Sequence, residues 1–180
     1  MTIRPAREAD VGLILELIRE LADYERLAHE VVATEERLRE GLFGERPVAE
    51  AAIAEVSGAG GGPSGGGEPS GGGGPEAGGG PQPAGFVLWY TTYSTFQCLP
   101  GVWVEDLFVR PEHRGAGTGR ALLAHVAAVA VERGYGRLEL SALDWNEPAL
   151  GFYASLGANS KDEWKLQRFE GEALSRLASA

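Results

Sequence analysis

A glycine-rich segment is the part of this sequence whose residue types and spacing point most directly to ligand chemistry. It reads Arg114-Gly115-Ala116-Gly117-Thr118-Gly119-Arg120 and precedes a run of apolar residues at helical spacing. Unpaired N–H groups and the helix dipole make a helix N-terminus favourable for an anion. Glycine permits positive φ angles and close approach by a phosphate. The segment therefore predicts a phosphate-binding loop, although by itself it leaves a simple glycine-rich turn open.

Two common nucleotide motifs do not describe this loop. A P-loop needs a lysine directly after its last glycine, and Arg120 follows Gly119 here. A dinucleotide fingerprint needs the spacing G-x-G-x-x-G and an acidic residue about twenty positions later. Neither fits well, so the ligand must be identified from the surrounding elements.

The elements that flank the loop are a strand and a helix. Residues 102–109 alternate as in a strand, and Gly134 ends the helix that follows the loop. The apolar stripe of that helix is Leu122, Leu123, Val126, Val129 and Ala130. A further strand is predicted around Leu138, Leu140 and Ala142.

The remaining pattern predicts a mixed sheet flanked by helices. Asp10 and Thr34 are predicted N-caps of two helices, the second ending at Gly41. The apolar stripe of the first helix is Val11, Ile14, Leu15, Ile18 and Leu21. Asn146 is the predicted cap of a later helix that Gly157 closes. Strands are predicted at residues 48–56, 86–93 and 164–169, and others could be hidden. The order indicates one α/β or α+β domain over residues 1–180.

A glycine, serine and proline tract occupies about residues 57–84. Its composition cannot offset the entropy of ordering, so we expect a flexible surface insertion between two strands. We expect the insertion to be dispensable.

Composition narrows the class of protein. The 180 residues are 43% hydrophobic, with a formal net charge of −10. A nucleic-acid surface needs clustered basic residues, so no nucleic-acid partner is expected. The charge suits a cationic ligand, but it also suits solubility alone. No apolar run is long enough to span a bilayer and no signal peptide is recognised, so we expect a cytoplasmic protein without a membrane partner.

Metal and thiol chemistry have no support in the sequence. His29, His113 and His125 lack metal-ligand spacing. The single cysteine, Cys98, has no histidine placed near it by a motif, so we expect it to be inert. We therefore expect no metal.

The loop, together with its flanks, resembles the pyrophosphate motif Gln/Arg-x-x-Gly-x-Gly/Ala of the GCN5-related N-acetyltransferases. The resemblance continues through residues 105–109, 144–148 and 152–153. Within that superfamily, residues 3–5, 21–25, 104–109 and 143–148 are similar to the diamine acetyltransferases, which include the spermidine/spermine and thialysine enzymes. The resemblance implies the fold of that family, acetyl-CoA as cosubstrate, a primary amine as acceptor and a homodimer.

Acetyl transfer to an ammonium requires a proton acceptor and, at the departing thiolate, a proton donor. Glu105 resembles the base of the family, and its apolar neighbours would partly desolvate it; the alternative is a rim carboxylate that only attracts cations. Tyr153 resembles the general acid of the family; the alternative is an aromatic side chain that only packs on its helix. Asp106 should point to the opposite side of a regular strand, so we assign it a structural role unless a bulge re-aims it.

Further roles are implied by the same resemblance. The residues implied in cofactor binding are Leu107, Phe108, Val109, Arg114, Gly115, Ala116, Gly117, Thr118, Gly119, Arg120, Asn146 and Tyr153. Those implied in substrate binding are Tyr24, Glu25, Glu105, Asp162 and Trp164. Backbone amides of residues 107–109 would stabilise the charge that develops on the carbonyl oxygen.

One departure bears on the acceptor. At the positions where the polyamine enzymes carry a sequence like Tyr-Asp-Pro-Trp, this chain has Tyr93-Ser94-Thr95-Phe96. It therefore lacks the carboxylate that would neutralise a second ammonium group. This form looks more like the thialysine branch and favours an amino-acid side-chain amine narrowly over a polyamine. A protein N-terminus or an aminoglycoside as acceptor, and a non-catalytic CoA-binding regulator, are the alternatives.

Overall fold

The structure, a computed structural model, describes residues 1–57 and 80–180. The described residues divide into two compact units, Met1–Ser141 and Ala142–Ala180. The first unit holds strands β1 (Thr2–Pro5), β2 (Glu50–Ser57), β3 (Pro81–Ser94), β4 (Leu99–Val109) and β5 (Leu138–Leu140). It also holds helices α1 (Val11–Glu25), α2 (Glu35–Phe43) and α3 (Thr118–Glu132), whereas the second unit holds α4 (Glu147–Ser155) and α5 (Gly171–Ala178).

The strands of the described residues form one mixed sheet in the order β1-β2-β3-β4-β5. The first three pairings are antiparallel, and β4 pairs with β5 in parallel through Val102↔Leu138, Trp103↔Glu139 and Val104↔Leu140. The helix α3 forms the crossover between β4 and β5, as a parallel connection requires. This mixed sheet with flanking helices confirms the predicted α+β fold class.

Each face of the sheet packs on helices. Trp89 and Val104 belong to a core cluster with Leu122 and Val126 of α3. On the other face, Phe86 and Phe108 belong to a cluster with residues of α1 and α2, among them Ile14, Leu17 and Leu42. The apolar stripes read from the sequence are thus the buried faces of α1 and α3.

A β-bulge interrupts β4 at Glu105. Leu88 pairs with Asp106 and Trp89 pairs with Val104, so Glu105 is the extra residue of the bulged strand. Before the bulge, Val102 and Val104 belong to the α3 cluster, whereas Phe108 beyond it belongs to the α1 cluster. The bulge therefore reverses which alternate residues of β4 face α1.

Two arginines tie α1 to the sheet. Arg4 of β1 bonds to Asp10 at 2.7 and 2.9 Å and to Glu55 of β2 at 2.8 Å. Arg110 donates to both carboxylate oxygens of Glu20, to Glu16 and to the carbonyl oxygen of Pro83. These bonds set the position of α1 along β4.

Asp10 does not cap α1 in the predicted way. Its carboxylate accepts from Arg4 and from the amide of Arg7, and its side chain makes no bond to the first turn of α1. The hydrogen bond from Arg4 holds the pKa of Asp10 below its ordinary value. The predicted cap of α2 is confirmed, because Thr34 Oγ1 accepts from the amide of Arg37 at 3.3 Å.

Several predicted boundaries were wrong. Helix α2 passes through Gly41 and ends at Phe43, where Gly44 is the C-cap. Strand β3 extends well beyond residues 86–93, and β1 was not predicted. Four residues are too short for a period-2 pattern to stand out, so only pairing with β2 reveals β1.

The predicted strand at residues 164–169 is absent, and the helix α5 was not predicted. The alternation of apolar residues there is compatible with a strand. However, a strand needs a partner for its backbone groups, and the unit Ala142–Ala180 contains no other strand. Asn146 is confirmed as the cap of α4, because Oδ1 accepts from the amide of Ala149 at 3.3 Å.

The predicted insertion at about residues 57–84 lies mostly outside the described residues. Its described flanks belong to β2 and β3, where Ser57 pairs with Pro81. Among the described residues, no helix combines the length and apolar character that crossing a membrane requires.

Candidate active site

The glycine loop lies at the N-terminus of the 15-residue helix α3. Gly115 and Gly117 adopt positive φ angles of 76° and 84°, and Gly117 is the N-cap. A Cβ atom added at either glycine would meet no heavy atom within 4 Å. The space over both glycines is thus open, and a pyrophosphate could approach the loop amides. These residues fit the phosphate-bearing part of acetyl-CoA.

Thr118 contributes to this loop differently from the residues beside it. Its side chain is buried, and its hydroxyl donates to the carbonyl oxygen of His113 at 3.2 Å. This bond fixes the loop to the turn that follows β4. Ala116 and Arg120 are exposed.

The pairing between β4 and β5 ends before β4 does. The last pair is Val104↔Leu140, and β4 continues to Val109. Leu107, Phe108 and Val109 lie in this extension, and the side chains of all three pack in the core clusters. A contribution of these residues to ligand binding would therefore come from the backbone.

Glu105 is exposed at the bulge of β4. Its Oε2 accepts a hydrogen bond of 2.9 Å from Nε1 of Trp103. A carboxylate on this face of the sheet can accept a proton or attract a cation, as the sequence suggested. The expected partial desolvation of Glu105 by its apolar neighbours was wrong, because the side chain is exposed. The contact with the indole was not predicted.

Asp106 does not have the orientation that a regular strand would give it, because the bulge re-aims it. The bulge turns it to the face that carries Phe108 and α1, instead of the opposite side that a regular strand would give. Burial raises the pKa of Asp106 to about 7, with smaller contributions from the negative charges of Glu105 and Glu25. A carboxyl that titrates near neutrality in such surroundings is a candidate functional group. No feature of a single sequence marks this bulge.

Tyr24 and Glu25 form the C-terminal end of α1, close to the glycine loop. The guanidinium of Arg114 lies 4.7 Å from the ring centroid of Tyr24 and 5.7 Å from that of Phe108. Arg114 Nε also donates to the carbonyl oxygen of Val109 at 2.8 Å. Burial raises the pKa of Glu25 above its ordinary value. The loop, the end of β4 and the end of α1 are thus held together.

The other predicted site residues belong to the unit Ala142–Ala180. Asn146 is buried, and the half-buried Tyr153 has its ring 5.2 Å from that of Phe152. Asp162 accepts from Ser160 in an exposed segment, and Trp164 is 72% exposed. Their roles stay predictions.

Metal ligation and the thiol of Cys98 are two further chemistries that the described residues bear on. Within residues 1–57 and 80–180, no group of three or more His, Cys, Asp or Glu residues could hold a metal ion. Cys98 is exposed at the turn between β3 and β4, and its thiol donates to the carbonyl oxygen of Thr95.

Comparison with known proteins decides the family. The family model described as Acetyltransferase (GNAT) family matches residues 73–158. A thialysine N-epsilon-acetyltransferase of Bos taurus is 41% identical over 98% of this chain and 96% of its own. The chain belongs to the GNAT acetyltransferase family.

Other matches extend over almost all of the chain. An L-ornithine N5-acetyltransferase of Arabidopsis thaliana is 34% identical over 97% of this chain and 86% of its own. Among solved structures, an integron cassette protein of V. cholerae matches with a TM-score of 0.69 and 25% identity, over 99% of this chain and 98% of its own. The chain is therefore a GNAT acetyltransferase of the thialysine and diamine group, as the motifs indicated.

Proposed function

We propose that this protein transfers the acetyl group of acetyl-CoA to a primary amine on a small cationic amino acid such as thialysine or lysine. A polyamine is the second acceptor class. The curated relatives named for thialysine support the amino-acid class, as does the Ser94-Thr95 sequence at the end of β3. We propose that both compact units form one acetyltransferase domain, since the relatives align over 98% of the chain.

The contact between Arg114 and Tyr24 is the observation on which this proposal rests. Arg114 begins the loop that fits a pyrophosphate, and Tyr24 precedes Glu25 at the end of α1. The guanidinium of Arg114 lies 4.7 Å from the centroid of the Tyr24 ring, so the loop expected to bind the cofactor is next to the end of α1 that carries Glu25. The negative charges of Glu25, Glu105 and Asp106 would attract the ammonium group of an acceptor to this part of the site.

The proposed cofactor contacts are mostly made by backbone. The amides of residues 115–119 would hold the pyrophosphate, and Arg114 and Arg120 add positive charge at the loop. Amides of residues 107–109 would bind the acyl arm and stabilise charge on the carbonyl oxygen. Asn146 is a further proposed contact. Bound acetyl-CoA supplies the activated acetyl group.

The proposed chemistry assigns one proton to each of two side chains. Glu105 takes the proton from the ammonium nitrogen and so frees the lone pair that attacks. Tyr153 Oη donates a proton to the departing sulfur. Tyr24, Glu25, Asp162 and Trp164 are proposed to contact the acceptor, because carboxylates and aromatic faces both bind ammonium groups.

An acceptor screen tests this function. Thialysine, lysine, ornithine, putrescine, spermidine and a short peptide would be compared at equal concentration with acetyl-CoA, following release of free thiol. We expect the highest kcat/KM for thialysine or lysine, because specificity is a ratio of these values. Higher kcat/KM for spermidine would move the acceptor to the polyamine class. Absence of turnover with every amine would contradict the proposal.

Two further properties stay predictions. The homodimer rests on the family resemblance, and the exposed Tyr93 of β3, Phe96 of the following turn and Leu99 of β4 are apolar surface that a second subunit could cover. Sedimentation of the purified chain would measure its mass in solution. The cytoplasmic location would be checked by imaging a tagged chain.

A further inference from the structure

Trp103 lies beside the proposed proton acceptor on the central strand of the site. Its neighbours across the sheet are Tyr90 of β3 and Glu139 of β5. The Trp103 side chain is half-buried, whereas Glu105 is exposed. In the sequence, Trp103 is one of the apolar residues that flank Glu105. The indole N–H instead bonds directly to the carboxylate, at 2.9 Å.

An exposed glutamate has three rotatable side-chain bonds, and fixing them costs conformational entropy. The bulge adds to the conformational freedom of Glu105, because it leaves this residue outside the regular pairing between β3 and β4. A half-buried indole is a rigid donor with a single N–H. The bond therefore selects one orientation of the carboxylate before any ligand arrives.

We propose that Trp103 is a positioning residue for acetyl transfer, holding Oε2 of Glu105 so that Oε1 accepts the proton of the amine. The ammonium nitrogen loses one proton to Oε1 and keeps the lone pair. Trp103 exchanges no proton and touches no reacting atom. This inference rests on the proposed function, in particular on Glu105 as the acceptor.

Other titratable groups lie near the Glu105 carboxylate, and a test of Trp103 must leave them unchanged. The charge of Glu105 raises the pKa of Tyr90 on β3, after the larger effect of burial, and it also contributes to the raised pKa of Asp106. On the α1 side, Glu25 contributes to the same shift of Asp106. The test should therefore compare variants at one pH, with Tyr90, Asp106 and Glu25 unchanged.

A double-mutant cycle tests the proposal. Trp103→Phe keeps an aromatic ring for packing and removes the N–H, and it would be made in the parent chain and in Glu105→Ala. With saturating acetyl-CoA and the best acceptor, we expect kcat to fall roughly tenfold in the parent, as for loss of a hydrogen bond to a charged group. In the Glu105→Ala chain we expect the same substitution to change kcat less than about twofold, because the bond is already lost. The KM for acetyl-CoA should not change.

The outcomes separate this inference from the proposed function. An equal fall of kcat in both backgrounds, or no fall in the parent, overturns the role of Trp103 and leaves the function standing. Full turnover of Glu105→Ala overturns the assignment of the base and, with it, this inference. Absence of amine acetylation by the parent overturns the function itself.

A second measurement covers the case in which Trp103→Phe fails to fold. The indole N–H resonances of the four tryptophans would be recorded by NMR for the parent chain and for Glu105→Ala. We expect one resonance to move strongly, because Trp103 loses its acceptor. No response from any indole would overturn the proposal.

Discussion

At the scale of single residues, Glu105 and Asp106 show how neighbouring carboxyls of one strand acquire different properties. Glu105 is exposed and bonded to an indole, whereas burial raises the pKa of Asp106 to about 7. Both lie at the bulge, so the same irregularity places an exposed carboxylate beside a largely desolvated one.

The raised pKa of Asp106 predicts a particular dependence of stability on pH. Between about pH 4 and 7 the unfolded chain has lost the proton of Asp106 and the folded chain still holds it, so folding stability falls as pH rises. Asp106→Asn removes this contribution. We expect the variant to match the parent near pH 4 and to exceed its stability by about 1–4 kcal/mol at pH 8, measured by urea unfolding.

The matched control for that experiment is Asp23→Asn, an exposed carboxylate on α1 that changes charge equally. We expect this variant to differ from the parent by the same small amount at both pH values. If Asp106→Asn also shows a difference that does not depend on pH, Asp106 does not titrate in the way that its burial indicates.

The two proposed proton-transfer residues should respond oppositely to pH. Glu105→Gln keeps the shape but cannot accept a proton, so turnover near neutrality should fall roughly 10²–10⁴-fold, with partial recovery at high pH. Tyr153→Phe should slow turnover and abolish a decline at alkaline pH. The measurement is kcat between pH 6 and 10, with acetyl-CoA affinity as the control. Near-parent turnover of both variants across this pH range would contradict the proposed roles of Glu105 and Tyr153 in proton transfer.

At the scale of elements, the two ends of α3 offer a test of the cofactor loop. Gly117 at the start and Gly134 just after the end both have positive φ, 84° and 68°, with open space where a Cβ would lie. Alanine at either position should cost about 1 kcal/mol of folding stability through backbone strain. Only Gly117→Ala should lower the affinity for acetyl-CoA, by roughly tenfold or more, measured by calorimetry. Equal affinities in the two variants would mean that the cradle is elsewhere.

The Arg4 cluster joins β1, β2 and the start of α1, and it predicts a second pH effect. The pKa of Asp10 is lowered mainly by the hydrogen bond from Arg4, so this pair stabilises the fold above about pH 4 and loses its effect as pH falls further. Arg4→Met should cost about 1–3 kcal/mol at pH 7 and less below pH 4, measured by thermal unfolding.

Arg39→Met is the control for the Arg4 variant. Arg39 pairs with Glu8 and Glu35 at exposed positions, and such pairs contribute little. We expect a change within about 0.5 kcal/mol at any pH. If Arg39→Met loses as much folding stability as Arg4→Met, the greater exposure of the Arg39 ion pairs does not make them weaker than those of Arg4.

At the scale of the whole molecule, the glycine-rich tract can be tested by its removal. Ser57 and Pro81 face each other at the end of the pairing between β2 and β3, so an Asn-Gly turn in place of residues 58–80 would join the strands as a hairpin. Closing a shorter loop costs less entropy, by on the order of 1–2 kcal/mol. We expect Tm to stay equal or rise and turnover to stay near the parent value.

A full-length chain with the order of residues 58–80 shuffled is the control for the deletion. If the deletion lowers turnover and the shuffled chain does not, the length of the tract matters. If both lose turnover, its sequence has a function. Either result would contradict the prediction that the tract is dispensable.

The sequence alone determined those features that depend on local patterns. Apolar spacing predicted α1 and α3, side-chain chemistry predicted the caps at Thr34 and Asn146, and glycine spacing predicted the loop before Thr118. These features involve residues a few positions apart, so their physics is local. Matched motifs likewise indicated the family that the relatives confirm.

Only the tertiary structure decided what depends on pairing between distant residues. The short strand β1 exists because β2 pairs with it, and residues 164–169 form no strand because their unit offers no partner strand. The bulge at Glu105 arises from the register between β3 and β4, and it turns Asp106 toward α1. Burial by distant segments then raises the pKa of Asp106. Strand register and desolvation involve contacts across the fold, which alternation within a single segment does not encode.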